Sequence, residues 1–176
     1  MPATQRPLSA AEIVLARAVF GGSLNAGRVR LAHEEHPASM AARLIGRTHQ
    51  FVVRGDRIFA PPSDKARCAD FCAQGVEWSA LLAHELTHVW QYQHGLLSAL
   101  RYVLSGDWRY AYTLTPKRHF VHYGFEQQAS MVEDYVLLTN GKPARHGNGV
   151  TAAAIKTVLP FSRLEHDAIK QDRFDR

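Results

Sequence analysis

Only two cysteines occur in the 176-residue chain, Cys68 and Cys72. That excludes the disulfide framework of a small secreted domain. Four residues apart in a segment that reads as helical, they are poorly placed to bridge each other. A metal site on both thiols needs two more ligands, and His49 and Asp70 are weak candidates. The cysteines read instead as small, mostly buried apolar residues. Long apolar runs are missing too, so no segment has the length of a membrane span. Residues 1–7 hold no apolar stretch of the signal-peptide kind. There are no repeats and no low-complexity tracts. Nor is there a block of like charge. The net charge of +5 is scattered along the chain, and no nucleic-acid-binding motif accompanies it. A mildly basic surface tuned for solubility accounts for it; an anionic polymer or acidic protein partner is the alternative.

What is present is an ordinary globular composition, 46% apolar and 21% charged, in a length that suits one domain with a sizeable core. The termini, residues 1–8 and 164–176, read as loose ends. Between them, Ser9 and Glu12 suggest a capping box ahead of a short helix that stops at Gly21-Gly22. Val29 and Leu31 alternate with polar neighbours, as in a strand. Residues 51–53 and 57–59 flank Gly55-Asp56, a hairpin signal. Helices are expected near 39–46, 64–73, 76–94, 96–104, 125–139 and 151–159. Residues 108–114 alternate and suggest a strand or an extended lobe.

The decisive feature is His84-Glu85-Leu86-Thr87-His88, an H-E-x-x-H pattern. Two histidines four apart on a helix lie on one face, where both imidazoles can reach one metal ion. The glutamate beside the first histidine can take a proton from a water held by that metal, which makes Glu85 the general base of a zinc hydrolase. With ten histidines in the chain, a random sequence would give roughly 0.03 such matches. Trp78, Leu82, Leu86, Val89 and Trp90 share one arc of the helical wheel, with His84 and His88 opposite its centre. This predicts a helix with one side in a core and the histidines facing a cleft. Gly75 marks its entry and Gly95 its end.

A catalytic zinc takes three protein ligands and keeps one position open. His94 lies at the metzincin distance, but Gln91 replaces the glycine that would turn the chain back. His94 therefore reads as an exposed residue near the helix end. Glu126, opening the 125–139 helix, is the leading third ligand, because Ala129 lets that helix approach closely. Glu133 and Asp134, about two turns on, are alternative ligands, or they orient a histidine, or they are solvated. Ser130 is placed to hydrogen-bond a ligand. Tyr110, Tyr112, His119, His122 and Tyr123 cluster between the two helices. Any of them can hold an oxyanion.

The segment Leu81–Gln93 resembles the motif helix of bacterial metallopeptidase domains that accompany contractile injection systems and polymorphic toxins. The likeness is greatest to small Vgr-related proteins. They pair an EIxLARxVFG start (Glu12–Gly21) with the zinc helix and an EQQAxxVxDY helix (Glu126–Tyr135). The resemblance covers most of residues 8–140. It implies a zincin-like α+β fold, mainly helical, with a small sheet bordering the cleft and an edge strand such as Arg57–Phe59. It implies Zn²⁺ on His84, His88 and Glu126. Ser130 departs from the thermolysin-type pattern, where an aspartate supports a zinc histidine. The expected function is a gluzincin-type zinc metallopeptidase linked to a type VI or related secretion system, with a peptide or protein substrate and a secretion-system spike protein as partner. Its expected location is cytoplasmic as synthesised, with export by a signal-peptide-independent system. The rival readings are a zinc amidase acting on cell-wall peptides and a non-catalytic zincin scaffold that docks a secretion-system component.

Overall fold

The computed structural model describes residues 5–37, 51–61, 68–106 and 108–161. Within them the order is β1 (Gln5–Pro7), α1 (Ala10–Phe20), β2 (Arg30–Ala32), β3 (Val52–Arg54), β4 (Arg57–Phe59), α2 (Val76–Gln93), α3 (Ala99–Ser105), α4 (Phe125–Thr139) and α5 (Ala152–Lys156). The result is a mixed α/β structure with a small sheet. Residues 39–46, 64–67 and 164–176 lie outside the described set, and with them the helix expected over 39–46, the start of the one expected over 64–73 and the loose C-terminal end; over 68–73 the expected helix is not found, the chain forming only a 3₁₀ turn from Cys72.

The sheet runs β1-β2-β4-β3. β3 and β4 form the expected hairpin, turning at Gly55 with φ +60°. β2 joins β4 in parallel, with Leu31 opposite Ile58. Both side chains are fully buried, which fixes this register. One expectation is overturned here: Arg57–Phe59 is an inner strand paired on both sides, and the edges are β1 and β3. A second falls at the N-terminus. Residues 5–7 are not loose but pair antiparallel with β2.

Glu12 holds that arm down. The capping box at Ser9 forms, and the Glu12 carboxylate collects more than its cap. It accepts from both terminal nitrogens of Arg6 at 2.7 and 2.8 Å, from the Ser9 amide at 2.8 Å and from the Phe71 amide at 2.8 Å. A buried carboxylate is tolerated when paired and saturated in this way. One side chain thus ties β1, α1 and the approach to α2. Asp70 works alongside it, accepting from Cys72 and Ala73 amides and from Ser9 Oγ. Asp70 is a turn cap, and no group of possible metal ligands among the described residues includes it. The cysteines are free and half-buried; Cys72 opens a 3₁₀ turn, and Cys68 lies outside any helix.

α2 is the axis of the core. Leu82, Leu86, Val89 and Trp90 are fully buried with Phe20, Phe71 and Met131. The histidine face is buried as well: every residue from Leu82 to Gln91 is. That face packs against α4, whose Ala129 has no exposed surface. Residues 108–114 form no strand of the sheet, and their only strand-like contact among the described residues is the Tyr112–Gly147 bridge. α5 is shorter than expected because the chain turns at Thr157–Val158 ahead of Pro160. No helix among the described residues is long and apolar enough to cross a membrane.

Candidate metal centre

α2 and α4 bring His84, His88 and Glu126 together, all buried, with one ligand atom of each within 4.8 Å of the others. It is the only such group of histidine, cysteine or carboxylate side chains among the described residues. Glu126 Oε2 lies 3.3 Å from His84 Nε2 and 3.4 Å from His88 Nε2. The imidazole rings are 5.1 Å apart and inclined at 75°, so both Nε2 atoms converge on the carboxylate.

The remaining ring nitrogens are occupied. His84 Nδ1 is 3.1 Å from Glu133 Oε2, and His88 Nδ1 is 2.9 Å from Gln91 Oε1. A ring that donates from Nδ1 presents its Nε2 lone pair to an ion. Gln91 does more than prolong the helix. Its Nε2 donates to Phe125 O at 3.1 Å and to Gln128 Oε1 at 3.0 Å, which staples α2 to the first turn of α4. Glu126 sits on that turn and is held from above by Tyr102, whose hydroxyl donates to Glu126 Oε1 at 2.6 Å.

Glu133 stands one turn beyond Ser130 and supports the histidine there. Ser130 Oγ is buried and makes no hydrogen bond among the described residues; the support expected from it comes from Glu133. The other acceptor sites of Glu133 take Arg145 Nη1 and, at 3.0 Å, His146 Nε2. Asp134 is a clamp. It accepts Tyr112 Oη at 3.0 Å and the amides of Arg145, His146 and Gly147. Gly147 packs so tightly that a Cβ there would lie 2.7 Å from the Tyr112 ring.

The charges follow from these contacts. Burial alone would pull the His84 pKa down, but hydrogen bonds to Glu126 and Glu133 and the nearby carboxylates hold it up at about 10. His88 is raised against the same burial, by Glu126. Burial opposes the charge on Glu126 and Glu133 too. The histidines, with His146 for Glu133, outweigh it and hold both well below the usual carboxylate range. Glu85 differs. Burial raises it, and the two histidines only partly offset that.

Of the five oxyanion candidates, only Tyr110 reaches the cluster. Its ring stacks 5.9 Å from His84 and 5.8 Å from His146. Tyr112 is taken by Asp134, Tyr123 Oη accepts the Thr115 amide, and His119 and His122 line a separate groove. His94 stays at the helix end with Nδ1 2.9 Å from Trp90 O. Tyr102 and His146 were not singled out by spacing; both arrive from outside the two helices.

No model of a known protein family matches the chain. It is 32% identical over 158 residues to the type VI secretion system spike protein VgrG2b of Pseudomonas aeruginosa. That match takes in 86% of this chain and 15% of the spike protein. The solved effector domain of P. aeruginosa VgrG2b superposes with a TM-score of 0.63 at 31% identity, covering 86% of this chain and 80% of that one. The chain belongs to the VgrG2b effector-domain family. It corresponds to the domain named as effector, and spans only a small part of the full spike. Membership links it to type VI secretion and to a bacterial source.

Replacing Glu133 by glutamine in this VgrG2b-type domain tests the support of His84. Loss of such a partner commonly costs about 10–100-fold in metal affinity. A metal-competition titration against a chelator should show that loss; an unchanged affinity would remove Glu133 from the site.

Proposed function

We propose that this chain is a zinc metallopeptidase of zincin-like fold and gluzincin type, acting as a type VI secretion effector. The observation that carries the reading is the buried His84–His88–Glu126 donor set with Glu85 beside it. Two imidazoles and one carboxylate suit zinc and leave a coordination position open. A zinc ion held there would supply Lewis acidity toward water and toward a substrate carbonyl. Glu85 accepts the proton of the attacking water and passes it to the leaving amine. Its raised pKa brings it nearer working pH, where one group serves both transfers. Tyr102 and Glu133 hold Glu126 and His84 in place. The partner that carries the effector out is the spike of the secretion apparatus.

The reading predicts how zinc enters. In the metal-free chain His84, raised from 6.5 to about 10, keeps its proton at pH 7. That protonation favours the fold fully below pH 6.5 and ceases to do so as pH climbs through about 10. The depressed Glu126 and Glu133 favour the fold above pH 4.5 and cease to as pH falls. Zinc must displace the histidine protons. Calorimetric titration in two buffers of different ionisation enthalpy should show near one zinc per chain, proton release at pH 7 and weaker binding as pH falls. Hydrolysis of an unfolded protein should stop on chelation and return with zinc. A chain that takes up no zinc would end the proposal.

A further inference from the structure

Little of the candidate metal centre is open to solvent: His84, Glu85 and His88 expose 5, 7 and 6% of their surface. Two helices besides α2 touch it, and they are held in different ways. α4 is fixed in the core by Met131, Val132 and Val136. α3 is a helix of seven residues, Ala99–Ser105, and a helix that short is not stable in water unless something docks it. Six of the seven are exposed, and Tyr102 alone is half-buried. No other helix or strand among the described residues packs extensively against it. Its inward contact is the Tyr102 hydroxyl, which donates to Glu126 Oε1 at 2.6 Å and lies within electrostatic reach of Glu85. The Trp108 ring backs that of Tyr102, parallel to it at 6.2 Å and 7°. Arg101 ties α3 only to its own approach, through Gly95 O and Leu96 O at 3.2 and 3.3 Å.

The two ends of α3 suit a hinged element. Leu97 is buried, and the amides of Leu96 and Leu97 donate to Gln91 O at 2.9 and 3.2 Å, so the chain is fixed to α2 up to that point. Gly106 ends the helix in the left-handed region at φ +57°, with open space where a side chain would begin. Short segments between such points absorb the backbone rotations of lid opening. The latch also suits a loaded site. Tyr102 takes Oε1 of Glu126 and leaves Oε2, on which the two histidines converge, for an ion.

We propose that α3 is a lid on the metal centre, latched shut by the hydrogen bond from Tyr102 to Glu126 and lifted about Leu97 and Gly106 to admit a polypeptide. Shut, it puts the Tyr102 hydroxyl in the neighbourhood of Glu126 and Glu85, where the scissile carbonyl has to be attacked. What the lid admits rests on the peptidase reading; the latch is tested without turnover. Hydrogen–deuterium exchange is measured by mass spectrometry on the full metal-free chain and on Tyr102→Phe, which removes the bond and keeps the ring for Trp108. Exchange of the α3 amides should quicken by at least about tenfold in the variant, with α2 and α4 unchanged. Zinc uptake by both metal-free chains is then followed in stopped flow with a chromogenic zinc indicator, and the variant should take up zinc faster. A residue that only positioned Glu126 would speed zinc release and leave α3 exchange and the uptake rate where they were. Unchanged α3 exchange, or uptake no faster than in the unaltered chain, would overturn the lid. A third measurement adds β-casein, an unfolded protein, to the zinc-loaded full chain carrying Glu85→Gln. The α3 amides should lose protection as casein binds, and bound casein with α3 still protected would overturn the lid as well. If Tyr102→Phe unlatches α3 and speeds zinc uptake while the chain with Glu85 intact neither binds nor cleaves casein, the lid over the metal stands and the peptidase reading falls.

Discussion

Glu85→Gln should take up zinc like the unaltered chain and lose peptide hydrolysis by about 10²–10⁴-fold. The side chain is buried between His84 and His88 on α2 and belongs to no ligand set. Glutamine matches its shape, so the fold has no reason to change. What is lost is the ability to accept a proton. Since burial already disfavours the glutamate's charge, the neutral amide sits there at least as comfortably, and thermal stability should hold or rise. Equal zinc content, retained stability and abolished turnover together form a pattern that a structural role cannot produce. Hydrolysis at the original rate would sink the mechanism.

The second large effect is expected at Glu126. Glu126→Ala removes the atom on which both Nε2 nitrogens converge and strands the Tyr102 hydroxyl. Zinc affinity should fall by more than the about 10–100-fold typical of an outer partner, and elemental analysis of the purified chain should find little zinc. The metal-free protein changes too. Without this anion the His84 and His88 protons lose their main support, so both pKa values should drop, as imidazole NMR titration would show. Retention of a full zinc complement would mean that another carboxylate, with Glu133 the first to examine, completes the set.

The motif helix was legible because its message is local. Spacing alone puts His84 and His88 on one face, and helical period and capping residues place the helix ends to within a residue or so. Glu126 was reachable only as one of several carboxylates on a second helix, since nothing in a one-dimensional pattern says which turn of α4 meets α2. The supports were harder. Glu133 was one of two carboxylates offered as orienting a histidine, and only the crossing of α2 and α4 decides that it meets His84; Tyr102 on α3 and His146 beyond α4 reach the site through tertiary folding alone, and Ser130 looked suited to a contact that Glu133 makes. Gln91 was read for the glycine it replaces and not for the amide it brings. In the sheet, period-two patterning found the strands but not their order, because a parallel β2–β4 pairing leaves no local trace. β1 was missed because what anchors it, the buried Glu12 carboxylate, shows in sequence only as half of a helix cap.

Gly147 sets a limit on how sequences of this kind can vary. Its backbone is not in the left-handed region that favours glycine, so the position does not need conformational freedom. It needs emptiness: Tyr112 and Val150 together occupy the volume of the first side-chain carbon. Neither a small residue nor a flexible one satisfies that, and serine or alanine would push Tyr112 off Asp134. Any homologue that keeps this tyrosine on this aspartate must therefore keep glycine there as well, so the three positions can drift only together.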